Sequence, residues 1–153
     1  MALLAPALVA GCGGDGGGGG ASSASISKHE LIERGDELCA EFLETEDRLE
    51  REYNEEPDPA EQARIAREVA ALTEQLSNDL EALGRPEEGA TVVERYVETS
   101  RERGALLRRF ARKQQDGADA ESVTLLNSSS ELLDELEGIG RGYGFEVCGS
   151  PDA

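Results

Sequence analysis

Four stretches of this chain repeat apolar residues at alternating intervals of three and four, and each is bounded by residues that start or stop helices. That spacing lays one apolar stripe along a helix and leaves the opposite face polar, so each stretch predicts an amphipathic helix with one buried side. In the first, the stripe is Leu31, Gly35, Leu38, Phe42, Thr45, Leu49 and Tyr53, widened by Ile32, Cys39 and Leu43. Ser27 followed by Glu30 fits a capping box, with Ile26 and Leu31 as its hydrophobic staple. The second opens at Asp58 with Pro59 in the first helical position, runs along Ile65, Val69, Leu72, Leu76, Leu80 and Leu83, and stops at Gly84 and Pro86. The third carries Val92, Val93, Tyr96, Val97, Leu106, Leu107, Phe110 and Ala111 and halts at Gly117. The fourth opens at Asp119, follows Val123, Leu126, Ser130, Leu133, Leu136 and Ile139, and is expected to end among Gly138, Gly140 and Gly142.

Helices are therefore expected over residues 27–54, 58–83, 88–116 and 119–142. Alternating apolar and polar runs with hairpin signals are missing, so strand content should be near zero. Short connections favour antiparallel neighbours, and the expected fold is all-α, an antiparallel up-down-up-down four-helix bundle. Three helix breaks within one chain favour an intramolecular core over a homo-oligomeric coiled coil, hence a monomer.

Before the helices, Ala2 to Ala10 is an apolar run that ends at Val9-Ala10-Gly11-Cys12. This is similar to the bacterial lipobox, in which the cysteine thiol takes a diacylglyceryl group and the peptide is cut just before it. Cys12 is then the lipidation site and the first mature residue. An ordinary secretory signal followed by an unmodified cysteine is the alternative. No Lys or Arg precedes the run, which suits a basic segment upstream of Met1. A membrane span needs about 20 apolar residues, about twice this run. Eight of the 18 glycines fall between Gly11 and Gly20, followed by Ala21-Ser22-Ser23-Ala24-Ser25. That composition reads as a flexible tether with a reach of about 20 Å, and it lacks the flanking strand and Lys-Ser/Thr of a phosphate-binding loop. The expected organisation is a signal peptide over 1–11, lipidated cysteine and tether over 12–26, the bundle over 27–149 and a tail over 150–153.

Cys39 lies on the first apolar stripe, and Cys148 lies just beyond the fourth helix, which an up-down arrangement returns to the start of the first. An extracytoplasmic location permits a Cys39–Cys148 disulfide; two buried free thiols are the alternative. Such a bridge closes a loop of more than 100 residues and contributes about 4–5 kcal/mol on chain-entropy arithmetic.

The lipobox, the glycine tether, Leu38-Cys39-Ala40 and the closing Tyr143-Gly144-Phe145-Glu146-Val147-Cys148-Gly149 together resemble a group of small helical lipoproteins of high-GC actinobacteria. The likeness spans most of the chain, and thirteen arginines against two lysines suit a high-GC genome. It implies a helical domain with a Cys-Cys bridge, lipid-anchored on the extracytoplasmic face of the cell membrane, and brings no catalytic residues with it.

Acids outnumber bases 33 to 15, for a net charge of −18 and a pI near 4.3, which excludes nucleic acid as the main partner. His29-Glu30-Leu31-Ile32-Glu33 lacks the second histidine of a zinc-protease helix, and His29, the one histidine, is expected in solvent. There is no Glu-x-x-His pair for a di-iron bundle and no histidine to activate a serine. A metal at Cys39 and Cys148 would lack two ligands, and pairs such as Glu41 and Glu44 read as a solvated acidic face. No enzyme, cofactor or metal is expected.

The acidic monotony breaks at Arg101, Arg103, Arg108, Arg109, Arg112 and Lys113, a candidate patch for an anionic partner such as a cell-wall polymer. The plainer reading is that these cations complement a helix dipole and neighbouring carboxylates, among them Glu46 and Asp47. Two function classes follow. The favoured one is a non-enzymatic interaction or scaffolding module that meets an envelope protein or cell-wall component. The alternative is a small-molecule or cation-binding lipoprotein with a pocket inside the bundle. Gly35, Gly104, Gly138, Gly140 and Gly142 either pack helices closely or leave room for a ligand, and a core cavity with polar groups would favour the second class.

Overall fold

The computed structural model describes residues 25–117 and 119–150, in the order β1 (Ser25–Ile26), α1 (Lys28–Glu55), α2 (Pro59–Ala82), β2 (Arg85–Pro86), α3 (Ala90–Gln115) and α4 (Asp119–Tyr143). Cys12, the lipobox and the glycine-rich run lie outside the described residues, as do the last three.

The helix starts follow from local chemistry. Ser27 accepts a hydrogen bond from the Glu30 amide at 3.2 Å, while the Glu30 carboxylate itself turns to Arg34 at 2.7 Å. Asp58 accepts from the Ala60 amide at 2.9 Å ahead of α2, with Pro59 in the first turn. The far end of α4 falls one residue beyond the expected position 142. The helix runs through Gly138, Gly140 and Gly142 to Tyr143 and stops at Gly144, whose φ of +112° suits glycine. Tyr143 is the reason: it is buried, and its hydroxyl donates to the Glu88 carbonyl at 3.1 Å, so tertiary contact outweighs the poor helix propensity of three glycines.

The two-residue strands pair in parallel, Ser25 with Arg85 and Ile26 with Pro86, and Ile26 is buried in the core. Ordered structure thus includes two residues that the sequence reading assigned to the tether. Pairs across α2 and α3, and across α3 and α4, run in opposite sequence directions. Between α2 and α3, Arg101 pairs with Glu81, Arg108 with Glu74 and Gln114 with Gln62; between α3 and α4, Arg95 pairs with Glu135 and Lys113 with Glu121. The closest packing is α2 on α3 and α3 on α4, with α1 leaning on α2.

The core has two apolar clusters. One gathers Leu31, Phe42, Leu80, Tyr96, Leu136 and Phe145 around Cys39 and Cys148; the other joins Ala66, Phe110, Ala111 and Leu125, flanked by Tyr53 and Leu106. Thr73 and Ser77 of α2, Ser100 and Arg103 of α3 and Ser129 of α4 are buried polar residues, and Glu46 of α1 meets Arg103. The first half of α4 is rotated relative to the expected stripe: Val123 is 58% and Leu126 44% exposed, while Ser122, Leu125 and Ser129 are buried. One residue is about 100° of helix, so a turn of one position carries Val123 and Leu126 outward and Ser122, Leu125 and Ser129 inward.

Candidate functional site

Because α1 packs mainly on α2 and α4 mainly on α3, α1 and α4 do not close on each other, and a cleft of about 450 Å³ lies among the helices. Phe42, Leu43 and Tyr53 of α1 and Leu126, Leu133 and Leu136 of α4 contribute to its apolar lining. Ile65 and Val69 of α2 and Leu107 and Phe110 of α3 add to it. The glycines do not create this space: Gly104 packs within van der Waals range of Ala70 and Thr73, and Gly138 and Gly142 face no neighbour within 4 Å.

In the cleft lining, Arg103 and Glu46 form an ion pair at 2.5 Å with side chains only 9% and 13% exposed. Arg103 Nε, buried, finds no hydrogen-bond acceptor. A buried pair of this kind holds itself neutral at a desolvation cost that its mutual attraction offsets only in good geometry. Nearby, the Ser77 and Ser100 hydroxyls share a hydrogen bond at 2.9 Å, and Ser77 is also 2.8 Å from the Thr73 carbonyl. Three more carboxylates line the cleft: Asp47 and Glu50 from α1, and Glu137 from α4, which is 18% exposed and 4.0 Å from Arg141.

One end of the cleft is formed by the C-terminal segment, which folds back from α4 onto α1. Cys39 and Cys148 form a disulfide with Cα atoms 5.3 Å apart. Asp36 accepts from three consecutive amides, Glu146 and Val147 at 2.9 Å and Cys148 at 3.0 Å. Gly35 leaves the space that the Phe145 ring takes, since a Cβ there would come within 2.6 Å of it. Gly140 and Gly149 permit a backbone crossing in which a Cβ on Gly140 would sit 2.8 Å from the Cys148 carbonyl. The Tyr96 hydroxyl lies 3.4 Å from the same carbonyl, and burial pushes its pKa well above the usual phenol range, so it remains a donor.

The six cations expected to form one patch are divided. Arg101 meets Glu81 at 2.6 Å, Arg108 meets Glu74, Lys113 meets Glu121 at 3.0 Å, and Arg103 is in the core with Glu46. The Glu81 carboxyl is held below its ordinary range by the hydrogen bond from Arg101. Arg109 and Arg112 are exposed and have no ion pair among the described residues. His29 is in solvent, its side chain 90% exposed. Among the described residues, no group of three His, Cys, Asp or Glu is placed to hold a metal, and no helix is long and apolar enough to cross a membrane.

Sequence reasoning missed Glu46 as a core residue and took Arg103 for a surface cation. The signal was present, since Glu46 falls between Phe42 and Leu49, and Arg103 between Tyr96 and Leu107, on the buried stripes. No family model, curated protein or solved structure matches the chain.

Proposed function

We propose that this chain is an extracytoplasmic lipoprotein, anchored through Cys12, whose up-down-up-down bundle binds a small, mainly apolar molecule in the cleft between α1 and α4. The carrying observation is the cleft itself. Its volume of about 450 Å³ falls within the range of small-molecule sites, and its lining pairs apolar and aromatic side chains with a few polar groups. The disulfide and the Asp36 clasp support a preformed site by fixing the end wall. The role read from this lining, apolar and aromatic side chains with a few polar groups, is binding or carriage.

Titration of the purified domain with the neutral fluorophore N-phenyl-1-naphthylamine tests the reading. Saturable enhancement with one site per chain, lost in a folded Leu133→Arg variant, is the expected result. Absence of saturable binding to folded wild-type protein contradicts it. The anchor rests on Val9-Ala10-Gly11-Cys12. Cys12→Ser should move the protein out of the membrane fraction, and an unchanged distribution contradicts the anchor.

A second reading, an interaction module for an anionic envelope partner, is favoured by one observation: Arg109 and Arg112 are exposed and unpaired among the described residues. Replacing both with Gln should abolish retention on an anionic wall polymer at unchanged melting temperature if that reading holds.

A further inference from the structure

We infer that the cleft selects organic cations, molecules with an apolar body and an ammonium head, over anions of the same size. The inference rests on the ligand-binding reading above and concerns the charge of what is bound. Five charged side chains line the cleft. Arg103 and Glu46 neutralise each other inside the wall, which leaves Asp47, Glu50 and Glu137. Asp47 and Glu50 have no ion pair among the described residues, and Glu137 has only a long contact of 4.0 Å with Arg141. The two sides of the cleft therefore both present carboxylate, from α1 and from α4, while Arg103, the cation of the lining, is engaged by Glu46 with only its buried Nε–H unpartnered among the described residues.

The aromatic lining points the same way. Phe42, Tyr53, Tyr96 and Phe110 all border the cleft, and the Tyr53 and Phe110 rings stand 6.2 Å apart at a 51° tilt. Ring faces attract ammonium groups, more strongly where water is excluded, and the aliphatic lining receives the rest of such a molecule. An anion of the same shape would lose these contacts and meet three carboxylates, Asp47 and Glu50 exposed and Glu137 largely buried.

Displacement of bound N-phenyl-1-naphthylamine by decyltrimethylammonium and by decanoate, both below micellar concentration, tests the inference. The cation should displace at about tenfold lower concentration than the anion. Because the whole chain carries −18, the site must be separated from the general field. Asp47→Asn/Glu50→Gln/Glu137→Gln should reduce the preference, read as the ratio of the two displacing concentrations, to about threefold or less. The same neutralisation at Glu33, Glu98 and Glu131, exposed and outside the lining, should leave the preference intact. Calorimetric titration of wild-type protein with the cation supplies a readout independent of any variant. Equal displacement by the two amphiphiles, or equal loss of preference in both triple variants, overturns the charge selection and leaves the binding reading standing. Failure of the naphthylamine itself to bind overturns both.

Discussion

Arg103 is separated by only one or two positions from Arg101 and Glu102, yet their environments differ because each step along a helix turns a side chain by about 100°. Arg101 and Arg108 reach the carboxylates of α2, Lys113 reaches α4, and Arg103 points inward to Glu46. A run of cations in sequence is thus not a patch in space, and only the heptad-like position of Arg103 between Tyr96 and Leu107 revealed its burial. Glu46→Gln should strand the guanidinium and cost about 3–5 kcal/mol in urea unfolding, whereas Arg103→Met/Glu46→Leu should fall within about 1–2 kcal/mol of wild type. Similar losses for the single and the double variant would contradict a coupled buried pair. Tyr96 gives a pH signature. Its folded pKa is raised by burial, so the unfolded chain ionises first as pH climbs past the ordinary phenol range, and stability should fall there. Tyr53 and Tyr143 act in the same direction, and Tyr96→Phe should remove about 1.4 kcal/mol per pH unit of the slope above pH 10. An unchanged slope would place the Tyr96 hydroxyl in solvent.

At the scale of elements, helix starts were legible because caps are local: Ser27 and Asp58 meet amides two or three residues on. The end of α4 came at Tyr143, one residue past the expected position, and which of the three glycines stops a helix depends on what packs against it. Gly138 and Gly140 make this testable within one turn. Gly138→Ala meets nothing within 4 Å and should raise stability by about 1 kcal/mol through helix propensity. Gly140→Ala would press a methyl to 2.8 Å from the Cys148 carbonyl and should lower stability by about 1–3 kcal/mol. Equal effects in thermal unfolding would mean that the tail does not cross α4 where the structure has it. The rotation of α4 shows a related blindness. Apolar periodicity located the helix but favoured Val123 and Leu126, while the buried side chains are Ser122, Leu125 and Ser129.

For the whole molecule, the all-α class, four helices and the Cys39–Cys148 bridge follow from sequence, since periodicity, breaks and two remaining cysteines leave few arrangements. The bridge spans a sequence separation of 109, and Cys39→Ala/Cys148→Ala should cost about 4–5 kcal/mol on chain-entropy arithmetic. A loss below about 1 kcal/mol would mean that the Asp36 clasp alone holds the tail. The cleft was not legible. Amphipathic spacing says which face of a helix is buried and nothing about how far apart two helices stand. It took the packing of α1 on α2 and of α4 on α3 to leave the space between them.

The most direct test of the binding cleft is an amide NMR titration of the folded domain with N-phenyl-1-naphthylamine. Saturable shifts are expected, one molecule per chain, centred on Phe42, Tyr53, Ser100, Leu107 and Leu133. A spectrum that does not move, or moves only around the exposed Val92 and Val123, would contradict it.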